Sequence, residues 1–312
     1  MSVLTAAALF YATDVNSASC CGGGSAASLI LPKSGRQMLD LSVDTEAYDG
    51  FWNSEGQHLA DPPGSVLSQT RLNLGIGYRL TDNWQSSLVM PFIWNDNEYA
   101  GFTSKTSGPG DATASLWYEA FDGITCVWQV NSLADLKPSI YYGLTMTIPT
   151  GISPYDEVTN SFDITGRGFY RLDASVLIDK TIFPWNATLQ YVYGVNFERP
   201  INREYGNYIE PYEKNLGERS LATLSFGYSY QTDKAEVITV TLAYSDLTEA
   251  AGEIDGQTDQ TTGLGKTSLA LTLAYSNFKK DWIYKLTFSQ ADAGYNFPQT
   301  EVLSLGVSHV YF

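Results

Sequence analysis

Long apolar runs, histidine, cysteine and basic charge are all scarce in this sequence. Outside the extreme N-terminus there is no run of about 18 apolar residues, which excludes helical membrane spans. With 2 His and 3 Cys there is little material for metal or thiol chemistry, and we predict neither a metal site nor a cofactor. The net charge of −16 disfavours nucleic acid as a partner, because phosphate binding needs a basic surface.

Charged residues of both signs make up only 17% of the chain, below the roughly 25% expected of a soluble globular domain. Aromatic residues are plentiful by contrast, at 13%, with 21 Tyr, 14 Phe and 7 Trp. Sparse charge, many aromatic residues and no long apolar run together favour a membrane β-barrel. Such a barrel spreads its apolar side chains over every second position of its strands.

From residue 36 onward, apolar and polar residues alternate in segments of about ten. One apolar row is Leu72, Leu74, Ile76, Tyr78 and Leu80, and the next is Trp84, Ser86, Leu88, Met90, Phe92 and Trp94. Period two over this length gives a strand one apolar face and one wet face. Because the pattern recurs along the whole chain, we predict an all-β fold, a transmembrane antiparallel up-and-down β-barrel of about 12 strands.

The lengths of the connections separate this barrel from a soluble sandwich, which would also alternate. Short links at 81–83, 183–185, 232–236 and 278–281 alternate with long polar links at 49–65, 95–110, 150–168, 199–218, 248–266 and 291–300. The link 121–138 is the one long exception among the short ones. Short periplasmic turns and long external loops are typical of outer-membrane barrels, and Trp and Tyr near segment ends suit interfacial girdles. We therefore expect a bacterial outer-membrane location, among lipid and lipopolysaccharide, with both termini periplasmic.

The N-terminal region divides the chain into three predicted parts. Residues 1–19 resemble a secretory signal peptide, with small residues suited to cleavage but no basic n-region. Residues 20–35 form a periplasmic N-terminal segment, and residues 36–312 form the barrel. A competing interpretation places a lipid on Cys20, but Ser17 replaces the aliphatic residue usual in that signal.

The C-terminal residue is Phe312, the kind of tail that the barrel-assembly machinery recognises, so we expect that machinery as a partner. Leu303, Leu305 and Val307 are out of step with Phe312, which a bulge or a frayed last turn would reconcile. Cys20, Cys21 and Cys126 all fall on the predicted periplasmic side. That oxidising compartment permits a disulfide between the N-terminal segment and the link 121–138.

Four motifs occur in order between residues 66 and 200. They are Tyr78-Arg79-Leu80-Thr81-Asp82-Asn83-Trp84, Gly108-Pro109-Gly110-Asp111, Ile148-Pro149-Thr150-Gly151 and Gly166-Arg167-Gly168. In this set the chain resembles the outer-membrane transporter family associated with phenol meta-pathway degradation. The resemblance implies a barrel that admits small, often hydrophobic molecules. The same motifs also have a structural interpretation, because glycine and Asp suit tight turns and proline suits strand ends.

Charged residues share the phase of the polar face and form the predicted lumen set. They are Arg71, Arg79, Glu119, Arg171, Asp173, Asp179, Glu198 and Lys285. In a narrow barrel such charges either line a pore and select its solutes or pair across the interior as a filling. Inward aromatic residues such as Trp117, Phe121 and Tyr141 offer stacking surface or simple packing.

Two functions remain after this reasoning, and catalysis is not one that we predict. His58 lies beside Asp61 and His309 beside Ser308, but no motif of a hydrolase surrounds either pair. The first function is a channel that passes small, hydrophobic or aromatic solutes. The alternative is a structural barrel that acts as scaffold or sheath for another envelope component, such as an electron-conduit cytochrome.

Overall fold

The computed structural model describes residues 29–33, 35–120 and 126–312. The signal-like segment, Cys20, Cys21 and Phe121 lie outside the described residues. Because only the backbone of Cys126 is described, the disulfide stays a prediction. No helix within the described ranges is long and apolar enough to cross a membrane.

Twelve antiparallel strands form the barrel. They are β1 (Gln37–Trp52), β2 (Val66–Arg79), β3 (Trp84–Tyr99), β4 (Ala112–Glu119), β5 (Ser139–Ile148), β6 (Arg171–Ile182), β7 (Trp185–Asn196), β8 (Arg219–Gln231), β9 (Val237–Glu249), β10 (Leu264–Ser276), β11 (Trp282–Tyr295) and β12 (Phe297–Tyr311). Each strand pairs with its neighbours in the chain, and β12 pairs with β1, so the sheet has no open edge. The predicted twelve-strand up-and-down barrel is confirmed.

The two ends of the barrel differ in the length of their links. The short-turn end, where Gln37 pairs with Tyr311, holds the links 80–83, 183–184, 232–236 and 277–281 and the longer link 120–138. The long-loop end holds the links 53–65, 100–111, 149–170, 197–218 and 250–263. The predicted alternation of link lengths is therefore correct for these ten connections.

The predicted long link 291–300 is wrong. Strand β11 runs to Tyr295 and β12 starts at Phe297, so Asn296 alone joins them, with a φ of 48°. The neighbouring strands explain the difference, because the end of β11 pairs with β10 as far as Tyr295 and the start of β12 pairs with β1 from Phe297. Polar composition alone therefore does not distinguish a loop from a strand that continues beyond the apolar girdle.

Parts of the long loops continue as sheet at the long-loop end. Residues Phe102–Pro109 fold back on the upper half of β3. A separate small sheet, called the cap sheet here, is formed by Arg199–Glu204, Asn207–Asn215, Gly252–Ile254 and Gln257–Asp259. Its two halves come from different loops and meet where Lys214 pairs with Ile254.

Burial along each strand is the reverse of that in a water-soluble protein. On β1, Leu39, Leu41 and Val43 are 41–44% exposed on the outside, whereas Ser42, Asp44 and Glu46 on the inside are only 1–4% exposed. An outward row of apolar side chains around an inward polar row is stable where lipid surrounds the barrel. Outward aromatic pairs at the short-turn end, such as Trp84 with Tyr118, complete the pattern of an interfacial girdle.

The C-terminal strand keeps its phase to the end. Pairing of β12 with β1 is regular from Gln37–Tyr311 to Tyr48–Thr300, so no bulge lies in this part of the strand. Tyr311 continues the outward row of Leu303 and Leu305, and Phe312 follows the last strand residue as an exposed side chain. The phase mismatch in the sequence is therefore explained by the strand ending one residue before Phe312.

Candidate functional site

The lumen has two unlike walls. Strands β1 to β5 form the packed wall, whose inward side chains are mostly buried. Strands β7 to β11 form the hydroxyl wall, whose inward side chains are mostly small and partly exposed in the central part of the strands. Members of its central rows are Thr188, Thr223, Ser225, Ser229, Thr239, Thr241, Ser245, Thr272, Thr287 and Ser289. Open space in the lumen therefore lies along the hydroxyl wall.

The N-terminal residues 29–33 lie inside the barrel at the short-turn end. Leu29 and Leu31 are 8% and 3% exposed and pack on inward residues of the packed wall. Two glycines of β2 make room for them, since a Cβ on Gly77 would overlap Leu31 and one on Gly75 would press on Leu29. The amide of Leu31 donates a 2.6 Å hydrogen bond to the side chain of Gln85. The segment is therefore held by shape and by buried hydrogen bonding.

Arg79 and Glu119, two predicted lumen residues, hold this segment in place. The guanidinium of Arg79 donates 2.9 Å hydrogen bonds to the carbonyls of Pro32 and Gly35. The carboxylate of Glu119 lies 3.7 Å from the Lys33 ammonium and 3.9 Å from Arg79. These two charged side chains hold the N-terminal segment at the short-turn end of the barrel.

We predict that Gly77→Val displaces residues 29–33 from the lumen, because the new side chain would occupy the place of Leu31. Overpacking of this kind costs about 1–3 kcal/mol, which corresponds to a roughly 5- to 150-fold rise in the displaced fraction. The rate of tryptic cleavage after Lys33 measures that fraction. Gly306→Val is the control, because a Cβ at this inward glycine meets its nearest neighbour only at 3.5 Å. Equal cleavage of both variants would contradict the prediction.

The link 149–170, called the inserted loop here, folds into the lumen from the long-loop end. Ile164 is fully buried, and its carbonyl accepts a 3.0 Å hydrogen bond from the side chain of Asn95 on β3. The carbonyl of Phe162 accepts another, at 2.9 Å, from Asn97, and the Phe162 ring packs edge-on against Tyr48 of β1. The inserted loop therefore covers the upper part of the packed wall.

Three of the four sequence motifs meet at the base of this loop. Asp111 accepts hydrogen bonds from the amides of Gly151 and Arg167, at 3.1 and 2.7 Å. Burial raises the pKa of the Asp111 carboxyl, while these two amides act in the opposite direction. A Cβ at Gly166 would overlap Asp111, so this position needs glycine. The structural interpretation of these motifs thus has a specific basis: they fasten the inserted loop.

Arg167 reaches from the inserted loop to the far end of β9. Its guanidinium forms two parallel hydrogen bonds of 2.5 Å with the carboxylate of Glu249, which is 4% exposed. Paired bonds of this kind are the strongest that arginine makes with a carboxylate. The pair therefore acts as a latch that joins the loop to the hydroxyl wall.

Arg71 points into the packed wall beside two carboxylates. Its Nη2 atom lies 3.3 Å from Glu46 and donates to Gln69 at 2.5 Å, and its Nη1 atom lies 3.7 Å from Asp44. Asn73 donates a further bond of 2.8 Å to Asp44. This network fills one side of the interior with mutually paired charges.

Arg171, Asp173 and Asp179 lie on β6, where the two walls meet. Arg171 donates a 2.8 Å hydrogen bond from Nε to Asp173. Asp179 accepts hydrogen bonds of 2.8 and 2.9 Å from Asn186 and Thr188 of β7. All three side chains are thus inward, as the alternation predicts, and each has a partner on its own or the next strand.

Two inward cations differ in their pairing from the charged residues described above. Lys285 on β11 and Arg219 on β8 form no hydrogen bond or ion pair with any described residue. Sequence reasoning missed Arg219, the first residue of the strand, although it shares the inward phase of Thr223 and Ser225; the apolar Leu221 interrupts the polar pattern between them. Glu198, predicted for the polar face, is instead an exposed residue of the link that follows β7, because β7 ends at Asn196.

A cavity of about 590 Å³ lies between the inserted loop and the cap sheet. Tyr155, Arg167 and Glu249 line its lower part, and Lys214 and Asp259 line the side toward the cap sheet. The cavity therefore forms a vestibule above the latch, at the long-loop end of the barrel.

The two histidines do not meet the neighbours that catalysis would need. His58 Nε2 lies 2.8 Å from the carbonyl of Asp49, and Asp61 binds the amide of Gly50. His309 packs against Trp282 on the outer face. Ser308 points inward and donates to Asp40. Within the described residues, neither the His58–Asp61 nor the His309–Ser308 pair forms.

Comparison with known proteins agrees with the fold. No family model and no curated protein matches the sequence. Among solved structures, the chain is similar to an outer membrane channel from Pseudomonas putida F1, with 15% identity, a TM-score of 0.67 and coverage of 93% of this chain and 100% of that one. It is also similar to the beta domain of the Bordetella autotransporter Brka, with 11% identity, a TM-score of 0.53 and coverage of 88% and 100%. The fold is thus a closed antiparallel β-barrel of the outer-membrane type.

Proposed function

We propose that this protein is a channel of the bacterial outer membrane that passes small solutes. The observation that carries the proposal is the hydroxyl wall, whose inward Ser and Thr side chains stay partly exposed while the opposite wall is covered. Small hydroxyl side chains leave space in the lumen and offer neutral hydrogen-bonding groups to water and solute. A solute would therefore travel along β7 to β11.

The unequal ends of the barrel support an orientation with the termini in the periplasm. Outer-membrane barrels place short turns on the periplasmic side and long loops outside, and both described ends of this chain lie at the short-turn end. In this orientation the inserted loop and the cap sheet face the exterior. Phe312 then lies where the assembly machinery would bind it, and the outward apolar rows contact lipid.

Two further observations support a class of solute. The sequence motifs resemble the phenol meta-pathway transporter family, and one similar structure is described as an outer membrane channel. Both are compatible with small, hydrophobic or aromatic solutes. The sheath alternative requires an interior free for another protein, whereas residues 29–33 and the inserted loop occupy part of this lumen.

Single-channel recording of the purified protein in a planar bilayer tests the proposal. We expect discrete openings in potassium chloride from protein whose heat-modifiable gel migration shows a folded barrel. A silent bilayer with such protein would reject the channel. Co-purification of a stoichiometric envelope protein would then favour the scaffold.

A further inference from the structure

The charges of the lumen are unequally paired, although the whole chain carries a net charge of −16. Seven carboxylates point inward from the barrel strands, and every one has a hydrogen-bond or ion-pair partner. They are Asp40, Asp44, Glu46, Glu119, Asp173, Asp179 and Glu249. Among the described residues, the inward charges without such a partner are the cations Arg219 and Lys285. The groups left available to a solute are therefore positive.

Arg219 stands in a row of charges that crosses four strands. Along the ladder it lies opposite Glu249 on β9 and opposite Gly194 on β7, and Gly194 lies opposite Asp173 on β6. A Cβ at Gly194 would overlap the Asp173 carboxylate, so the glycine leaves room for that group beside Arg171. In the sheet, Arg219 therefore lies close to the carboxylates of both Asp173 and Glu249.

Both carboxylates of the row are already bound by other arginines. Asp173 accepts from Arg171 at 2.8 Å, and Glu249 accepts two hydrogen bonds from Arg167. The row alone contains three guanidinium groups and two carboxylates, and the carboxylate of Asp111 beside Arg167 supplies a third negative charge to this cluster. A guanidinium in a partly desolvated site is stabilised by a planar anion that it can bind through two hydrogen bonds. Among the described residues, Arg219 is therefore the guanidinium of this cluster that has no direct hydrogen bond or ion pair with a carboxylate.

An apolar patch lies directly below this guanidinium. Val192, Leu221 and Leu247 are consecutive cross-strand neighbours on β7, β8 and β9, and they share the inward phase of Arg219. Val192 and Leu221 are partly exposed, whereas Leu247 is only 6% exposed and completes the patch from its buried side. The next cross-strand row is polar, with Gln190, Thr223 and Ser245, so these three side chains form a local apolar surface within a polar wall. A ligand that fits both features has an anionic head and a compact apolar body.

We propose that Arg219 and the Val192–Leu221–Leu247 patch form a binding site for small apolar carboxylates inside the lumen. The proposal builds on the channel function, for which it names the solute class. The carboxylate takes the free guanidinium of Arg219, and the apolar body covers the patch. The vestibule of about 590 Å³ reaches Glu249, the residue opposite Arg219 on the ladder.

Benzoate and benzamide are matched probes, because they share a ring and differ in charge. With detergent-purified full-length protein, NMR of isotope-labelled benzoate is expected to show binding, and benzamide is expected to bind far more weakly. Arg219→Gln should lower benzoate affinity by roughly 10- to 100-fold, the range for losing hydrogen bonds to a charged group. Arg219→Lys should restore part of it. Arg203→Gln is the control, because it removes a positive charge from the cap sheet, where Arg203 is paired with Glu157. This variant should leave the affinity for benzoate unchanged.

Bilayer recordings of the same proteins separate this inference from the channel itself. We expect benzoate to interrupt the current of the wild-type protein and not that of Arg219→Gln. Binding that is equal in wild type and Arg219→Gln, or equal for benzoate and benzamide, would overturn the carboxylate site even if the barrel conducts. Benzoate binding that depends on Arg219 in a barrel that never conducts would support the site and reject the channel.

Discussion

Replacing Leu242 with arginine is expected to destabilise the folded barrel in a lipid bilayer by about 2–4 kcal/mol, the cost of a basic side chain at the bilayer midplane. Leu242 lies near the middle of β9, and its outward side chain is 55% exposed. If lipid surrounds this position, the charge must leave water on folding. The free energy of unfolding, from denaturant titration of protein in lipid vesicles, measures the effect.

The neighbouring residue provides the control for this prediction. Thr241 occupies the inward phase of the same strand on the partly open hydroxyl wall, so Thr241→Arg should leave the barrel much more stable than Leu242→Arg. A barrel whose outer surface faces water would give the opposite ranking, because an arginine at an exposed leucine position would then be close to neutral. That ranking would reject the membrane-spanning orientation of the outer rows.

Arg167→Gln is expected to raise the single-channel conductance by releasing the inserted loop. The substitution breaks both hydrogen bonds of the latch and leaves the buried carboxylate of Glu249 without its partner. Loss of one member of a buried pair costs up to about 3–5 kcal/mol when the other charge stays unpaired, and even part of this cost changes which position of a loop dominates. Glu249 would then be free to bind Arg219, its neighbour on the ladder. We therefore expect weaker interruption by benzoate as well.

Lys105→Gln is the matched control for the latch variant. Lys105 pairs with Asp96 at 2.8 Å on the long-loop side, but both side chains are largely exposed, so the pair contributes little to stability. Its loss should leave the conductance unchanged. If Arg167→Gln conducts like the wild type, the inserted loop does not limit the current.

The barrel itself could be predicted from sequence because its signal is local. A membrane strand repeats apolar and polar residues at period two, and each turn is marked by its own polar residues. Residues 72–94 are enough to define two strands and the turn between them. The local signal fails around Asn296. The end of β11 is extended there because it pairs with β10, and the start of β12 is extended because it pairs with β1, which is distant in sequence.

The contents of the lumen could not be predicted in the same way. Nothing in the local sequence of Leu29 and Leu31 shows that Gly75 and Gly77 leave space for them. The motif residue Asp111 signals a turn, but its bonds to Gly151 and Arg167 join chain segments 40 and 56 residues apart. For the same reason, the alternation placed Arg171 and Lys285 inward without showing which of them has a partner.

Substituted-cysteine modification of the hydroxyl wall tests the conducting path most directly. In a background with the native cysteines replaced by serine, Ser225→Cys places a thiol on the inward row of β8, and Asn73→Cys places one on the packed wall, where Asn73 is 3% exposed. We expect a charged, membrane-impermeant thiol reagent to lower the single-channel current of Ser225→Cys and to leave that of Asn73→Cys unchanged. Equal modification of both variants would contradict a solute path along β7 to β11. The absence of modification in both variants, if the channel conducts, would also contradict it.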